Sequence, residues 1–270
     1  MSPHQVPHHT APAPVFAPIA PLAGCVRVAL TRSTEDNQPL LNTLKGAGIE
    51  VHEWPSAAFV DVPVEPDRQA VEHWLELARA VTFTSRHGVA AWMHQMGADS
   101  LRRANLLVGA VGEGTAEALR SRGVEVGVVA KEPSTGATLA QLLADNLLPH
   151  KTVLVVQGRF ARRELAEGLA HRGLDVRIAT VYENTVAEPP PVDPVLLDPS
   201  TLIYAAAPSA VVRLLQWFPD ARRCRWAAIG STTAQALVDQ GLEAAIICPA
   251  PDLEVVAHTL TAALAARADA

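Results

Sequence analysis

The chain repeats itself, and the length of the repeat limits what it can fold into. Leu44-Lys45-Gly46-Ala47-Gly48-Ile49-Glu50-Val51 aligns with Leu169-Ala170-His171-Arg172-Gly173-Leu174-Asp175-Val176, at an offset of 125 residues. Val111-Gly112-Glu113-Gly114-Thr115-Ala116-Glu117-Ala118-Leu119 aligns with Ile229-Gly230-Ser231-Thr232-Thr233-Ala234-Gln235-Ala236-Leu237, at an offset of 118. Solenoid units are far shorter, so a repeat of this length means two similar domains.

Each copy reads as strand, helix, strand. Val26-Arg27-Val28-Ala29-Leu30 is a short apolar stretch. Ser33-Thr34 with Glu35 and Asp36 behind it starts a helix. Leu40, Leu41 and Leu44 give that helix one apolar face, and Gly46 and Gly48 end it. Residues 49–54 alternate like a strand. The second copy runs from the strand 152–156 through a helix at 163–172 to the strand 176–182. Strands alternating with helices predict parallel sheets with helices on both faces. Proline-rich breaks at 55–66 and 183–194 read as linkers. They leave residues 67–182 as one domain, and residues 25–54 with 195–270 as a discontinuous other. The sequence alone does not force this pairing over two consecutive halves.

Composition removes other classes. Apolar residues make up 49% and charged residues 19%, enough for a packed core. Aromatic residues are only 4%, so aliphatic side chains must fill that core. No apolar run approaches the roughly 20 residues that span a bilayer. A net charge of −6 argues against non-specific nucleic-acid binding. Cys25, Cys224 and Cys248 are odd in number and widely spaced. They offer neither a disulfide framework nor a zinc site and fit a reducing cytoplasm. Residues 1–24 carry six prolines and no acid or base, which reads as a disordered tail and not a signal peptide.

Cofactor motifs are missing too. Gly112-Glu113-Gly114 lacks the third small residue of a dinucleotide site, since Glu117 stands there. There is no phosphate-binding P-loop, no HExxH and no GxSxG. What remains is a set of strand-to-helix corners rich in small and hydroxyl residues: Thr84–Gly88, Gly112–Thr115, Gly158–Arg159, Ala206–Ser209 and Gly230–Thr233. In open parallel sheets, ligands bind beyond the carboxyl ends of the strands, where free helix N–H groups favour anions. Helix capping explains Ser85, Thr115 or Thr233 taken singly; their repetition points to a polyanionic ligand. Arg32, Arg86, Arg159 and Arg225 lie in sequence beside or just before such corners. Tyr182 ends a strand just before a linker, a working position for a polar ring.

Taken together, Val81-Thr82-Phe83-Thr84-Ser85, the Val-Gly-x-x-Thr-Ala-x-Ala-Leu at 111–119, Val181-Tyr182 and Ala228–Leu237 resemble uroporphyrinogen-III synthases over about residues 26–267. The resemblance implies two similar flavodoxin-like α/β domains, joined by a two-stranded linker, with a ligand cleft between them. It implies cyclisation of the linear tetrapyrrole hydroxymethylbilane to uroporphyrinogen III, with loss of water and inversion of the last ring. It further implies a monomeric lyase without cofactor or metal. Tyr182 would be catalytic. Ser85, Arg86, Thr115, Ser209, Arg225, Thr232, Thr233, Arg32 and Arg159 would bind substrate. Ala207 departs from the pattern, because family members often carry a serine there. A non-catalytic binding module for a polyanionic small molecule is the second reading.

Overall fold

The computed structural model describes residues 22, 24–103, 105–131 and 133–264. The expected N-terminal tail lies outside them, apart from Leu22 and Gly24. The Leu22 N–H donates to the carbonyl of Ala263, and its side chain packs on a buried cluster.

The chain opens with β1 (Arg27–Leu30), α1 (Thr34–Gly46) and β2 (Glu50–Glu53). It continues through β3 (Ala57–Glu65), α2 (Arg68–Leu77), β4 (Ala78–Phe83), α3 (Arg86–Gln95), β5 (Leu107–Val111), α4 (Glu113–Arg120) and β6 (Val128–Ala130). Then come α5 (Gly136–Asn146), β7 (Thr152–Gly158), α6 (Glu164–His171) and β8 (Asp175–Val186). The last leg holds β9 (Thr201–Ala205), α7 (Pro208–Trp217), β10 (Arg225–Ala228), α8 (Ser231–Asp239), β11 (Ile246–Ile247) and α9 (Leu253–Leu264). Two compact units result: Met1–Ala57 with Ala187–Ala270, and Ala58–Val186.

Among the described residues, the first unit's sheet runs β2-β1-β9-β10-β11, with every pairing parallel. The second unit's sheet runs β3-β8-β7-β4-β5-β6, parallel from β8 to β6. With β3 set aside the two orders are the same, but the chain enters them at different strands. β4–β6 answer to β9–β11, and β7–β8 answer to β1–β2. The two sequence offsets, 118 and 125, are the two legs of one circularly permuted repeat. In each sheet the strand order reverses once, between β1 and β9 in one unit and between β4 and β7 in the other. Loops beyond such a reversal diverge and leave a crevice.

Burial follows the parallel pattern. Val153, Leu154, Val155 and Val156 of β7 are all fully buried, because helices cover both faces of the sheet. Trp92 of α3 packs edge-on to Phe83 on one face, while Leu139, Leu143, Leu165 and Leu169 of α5 and α6 fill the other. The proline-rich stretch expected at 55–66 as a linker contains the nine residues of β3. Pro63 is tolerated there because β3 is an edge strand, where a missing N–H removes no ladder bond on the open side. β8 likewise runs four residues past the expected boundary at 182. Among the described residues, no helix is long and apolar enough to cross a membrane.

Cys25, Cys224 and Cys248 are free and buried. Burial pushes the Cys224 thiol up to about 12 and the Cys248 thiol up to about 11, and it raises Cys25 and Tyr204 as well. Above the unfolded thiol value of 9.0, the unfolded chain therefore loses protons that the folded chain keeps. Stability is fully present below that pH and falls as pH rises from about 9 toward 11. Urea midpoints at neutral pH and at about pH 10 check this, with a lower midpoint at the higher pH expected. Replacing the three cysteines by alanine should flatten the drop.

Candidate functional site

The reversal in the second unit brings together the ends of β4 and β7. Ser85 follows β4 and caps α3, its Oγ accepting the Gly88 N–H at 3.1 Å. The same Oγ lies 2.8 Å from the Tyr182 hydroxyl. Tyr182 comes from β8 through a local irregularity. Gln157 pairs with Thr180, but the next residue of β7, Gly158, pairs with Tyr182, so Val181 is the extra residue of a bulge. A one-residue insertion changes which side chain arrives at a given rung. Here it sets the phenol ring across the end of β7.

That position demands glycine at 158. A Cβ there would lie 2.6 Å from the Tyr182 Cζ and 3.0 Å from its hydroxyl oxygen. Around the ring, Phe59 meets Tyr182 edge-on at 5.8 Å and stacks on His87 at 3.7 Å. The two tyrosines have different settings. Tyr204 is 1% exposed inside the first unit, whereas Tyr182 is half-buried with its hydroxyl at a strand end.

The other expected site residues separate into groups. Thr115 and Thr233 occupy the same third position of α4 and α8, and both are buried. Thr232 and Ser209 are exposed, and Arg32 and Arg86 are half-buried at the ends of β1 and β4. Ala207 caps α7 without a side-chain bond, in the place Ser85 holds on α3. Arg159 is held by two carboxylates. Its guanidinium meets Glu183 at 2.7 Å and Glu65 at 2.9 and 3.2 Å, and these carboxylates raise its pKa, Glu183 most. Arg225 begins β10, so a whole strand separates it from the corner at Gly230. It stands at the amino end of the sheet, because its proximity to that corner in sequence becomes distance along an extended strand.

A cavity of about 330 Å³ opens beside Tyr182 within the second unit. Thr84 and Ser85 line it. Ser134, Thr135, Phe160 and Arg162 line it too, and sequence reasoning missed them. Ser134-Thr135-Gly136 is a further hydroxyl-rich corner, with Thr135 capping α5. Its signal is weak because β6 has only three residues. Among the described residues, no group of three His, Cys, Asp or Glu side chains could hold a metal ion.

Residues 38–257 match the family model described as uroporphyrinogen-III synthase HemD. The chain belongs to the uroporphyrinogen-III synthase family. Two solved structures share its fold. One is uroporphyrinogen-III synthetase from Helicobacter pylori, at 20% identity and TM-score 0.58, covering 89% of this chain and 99% of that one. The other is a mutant uroporphyrinogen III synthase from Thermus thermophilus, at 20% identity and TM-score 0.52, covering 88% and 98%. Comparison with curated proteins gives no match.

For a member of this family, the Tyr182 setting makes a direct prediction. Gly158→Ala should destabilise the protein by about 1–3 kcal/mol, the usual cost of overpacking, and should displace the ring. In a Tyr182→Ala background the same change should cost much less, because the ring it collides with is gone. Thermal melts of the four proteins in this cycle give the coupling directly. Additive losses would show that Gly158 is needed for some other reason.

Proposed function

We propose that the chain converts hydroxymethylbilane to uroporphyrinogen III, with Tyr182 as the acid that assists departure of the terminal hydroxyl. The observation that carries this reading is the hydrogen-bond chain at the strand reversal. The Gly88 N–H donates to Ser85 Oγ, and Ser85 Oγ stands 2.8 Å from the Tyr182 hydroxyl. With Ser85 donating to the phenol oxygen, we assign the phenol proton to the substrate's departing hydroxyl. The phenolate left behind gains that hydrogen bond and faces the N-terminal end of α3, which favours negative charge.

Strong acids are not required. Loss of the hydroxyl as water leaves a stabilised azafulvene cation, so modest proton donation suffices. A positioned general acid contributes about 10²–10⁴-fold. The greater demand is steering, since the bilane also closes unaided without inverting its last ring. Holding that ring's substituted carbon against the azafulvene is control of proximity and orientation. Ser85, Thr84, Thr115, Thr232, Thr233 and Ser209, with Arg32 and Arg86, are the polar groups we assign to gripping carboxylates. Membership of a synthase family leaves the non-catalytic binding module without an observation in its favour. The free thiols suit a reducing compartment, and we assign the protein to the cytoplasm as a monomer.

The test is incubation with freshly prepared hydroxymethylbilane and isomer analysis of the oxidised product. The type III isomer should dominate without added metal or nucleotide. Tyr182→Phe should slow formation at least about tenfold with little change in KM. Ser85→Ala should slow it less and cost about 1 kcal/mol of stability through the lost helix cap. Only the type I isomer at high enzyme concentration would remove the synthase reading.

A further inference from the structure

We infer that the cavity beside Tyr182 is a seat for a single pyrrole ring bearing carboxylate side chains, with Phe160 as its stacking face and Arg162 as its anion partner. This rests on the proposed reaction and names which part of the substrate the second unit holds. About 330 Å³ is at the small end of small-molecule pockets, which run to roughly 1,000 Å³. It has room for one substituted ring and not for a whole bilane. Because Tyr182 lines the same cavity, the ring seated there is the end ring that carries the hydroxymethyl group.

Phe160 is 77% exposed, the most exposed of the large apolar side chains in the described residues. Its ring makes no aromatic contact among them. An aromatic left open at a cavity wall awaits a flat apolar partner. The backbone fixes its place. The Ala161 N–H bonds to the Gly158 carbonyl, and the Arg159 N–H bonds to the Tyr182 carbonyl, so Phe160 rides a closed turn at the end of β7. The bridges from Arg159 to Glu65 and Glu183 tie the same turn to β3 and β8. Arg159 thus positions the turn, and its neighbour Phe160 faces the ligand.

Arg162 is exposed on the wall and makes no ion pair or side-chain hydrogen bond among the described residues. Glu164 is the one carboxylate in the lining, and it sits in the first turn of α6, where the helix end favours its charge. Ser134 and Thr135 also line the wall, their hydroxyls held by Lys131 and Thr138. A ring with carboxylate arms matches this set: an apolar face and one open cation on a wall that also carries polar side chains. A purely apolar ligand would leave Arg162 unused.

Porphobilinogen, a single pyrrole with two carboxylate side chains, is the probe. Calorimetric titration should show binding to the full chain. Phe160→Ala should weaken it about 3–10-fold and Arg162→Ala about threefold. Phe160→Tyr should restore binding. With hydroxymethylbilane as substrate, both alanine variants should raise KM by similar factors and leave kcat within about twofold. Val195→Ala, removing an exposed apolar side chain from the first unit, should change neither. Unchanged porphobilinogen binding and KM in Phe160→Ala, while the wild type still forms the type III isomer, would overturn the seat alone. A wild type that forms no type III isomer overturns the underlying reading, and the seat with it.

Discussion

The phenol ring of Tyr182 lies where an ordinary side chain on β7 would be. Almost everything distinctive about the second unit follows from that overlap. Gly158 must lack a Cβ. β8 must gain a residue at Val181 so that tyrosine arrives opposite the glycine. Ser85 must follow β4 in an extended conformation, so that one oxygen both caps α3 and meets the phenol. The turn after Gly158 is pinned by the Tyr182 carbonyl and by the two carboxylates on Arg159. None of these features stabilises the sheet by itself. Together they hold a polar hydroxyl at the strand reversal, where a parallel sheet offers a crevice.

The duplication makes the asymmetry plain. Both units use the same strand order, and Ser85 and Ala207 occupy the same capping place. In the first unit the corresponding corner is closed internally. Thr31 Oγ1 donates to the Tyr204 carbonyl at 2.9 Å and accepts the Ala206 N–H at 3.1 Å. Tyr204 itself points into the core, and burial raises its pKa. At this corner the first copy commits its hydroxyl, Thr31, to its own backbone, while the second presents Tyr182 and Ser85 at a cavity. Two near-equal folds can carry unequal chemistry, because function depends on a few grafted side chains and not on the fold.

Much of this is legible in the sequence because it rests on local rules. The glycine-ended helices, the alternating strands and the Gly-x-x-Thr-Ala corners announce two parallel α/β units. Tyr182 stands out by rarity and by its place at a strand end. What escapes depends on pairing between distant segments. Proline density suggests a linker at 55–66, yet the prolines also suit an edge strand, and only sheet order decides between them. Arg225 is near Gly230 in sequence and far from it along an extended strand. The bulge at Val181 leaves no local signature, since it exists only relative to β7. Phe160 carries no local signal in the sequence, and its exposure emerges only once the turn is placed.

The central claim is that the Tyr182 hydroxyl gives up its proton as the substrate's hydroxyl departs. Replacing Tyr182 with a series of ring-fluorinated tyrosines lowers the phenol pKa stepwise with little change in shape. Single-turnover rates of type III formation from hydroxymethylbilane then test the role directly. Proton donation in the rate-limiting step predicts a log rate that varies linearly with phenol pKa, and a loss of at least about tenfold with phenylalanine. Rates independent of phenol pKa, with phenylalanine fully active, would contradict it and leave Tyr182 as a packing residue.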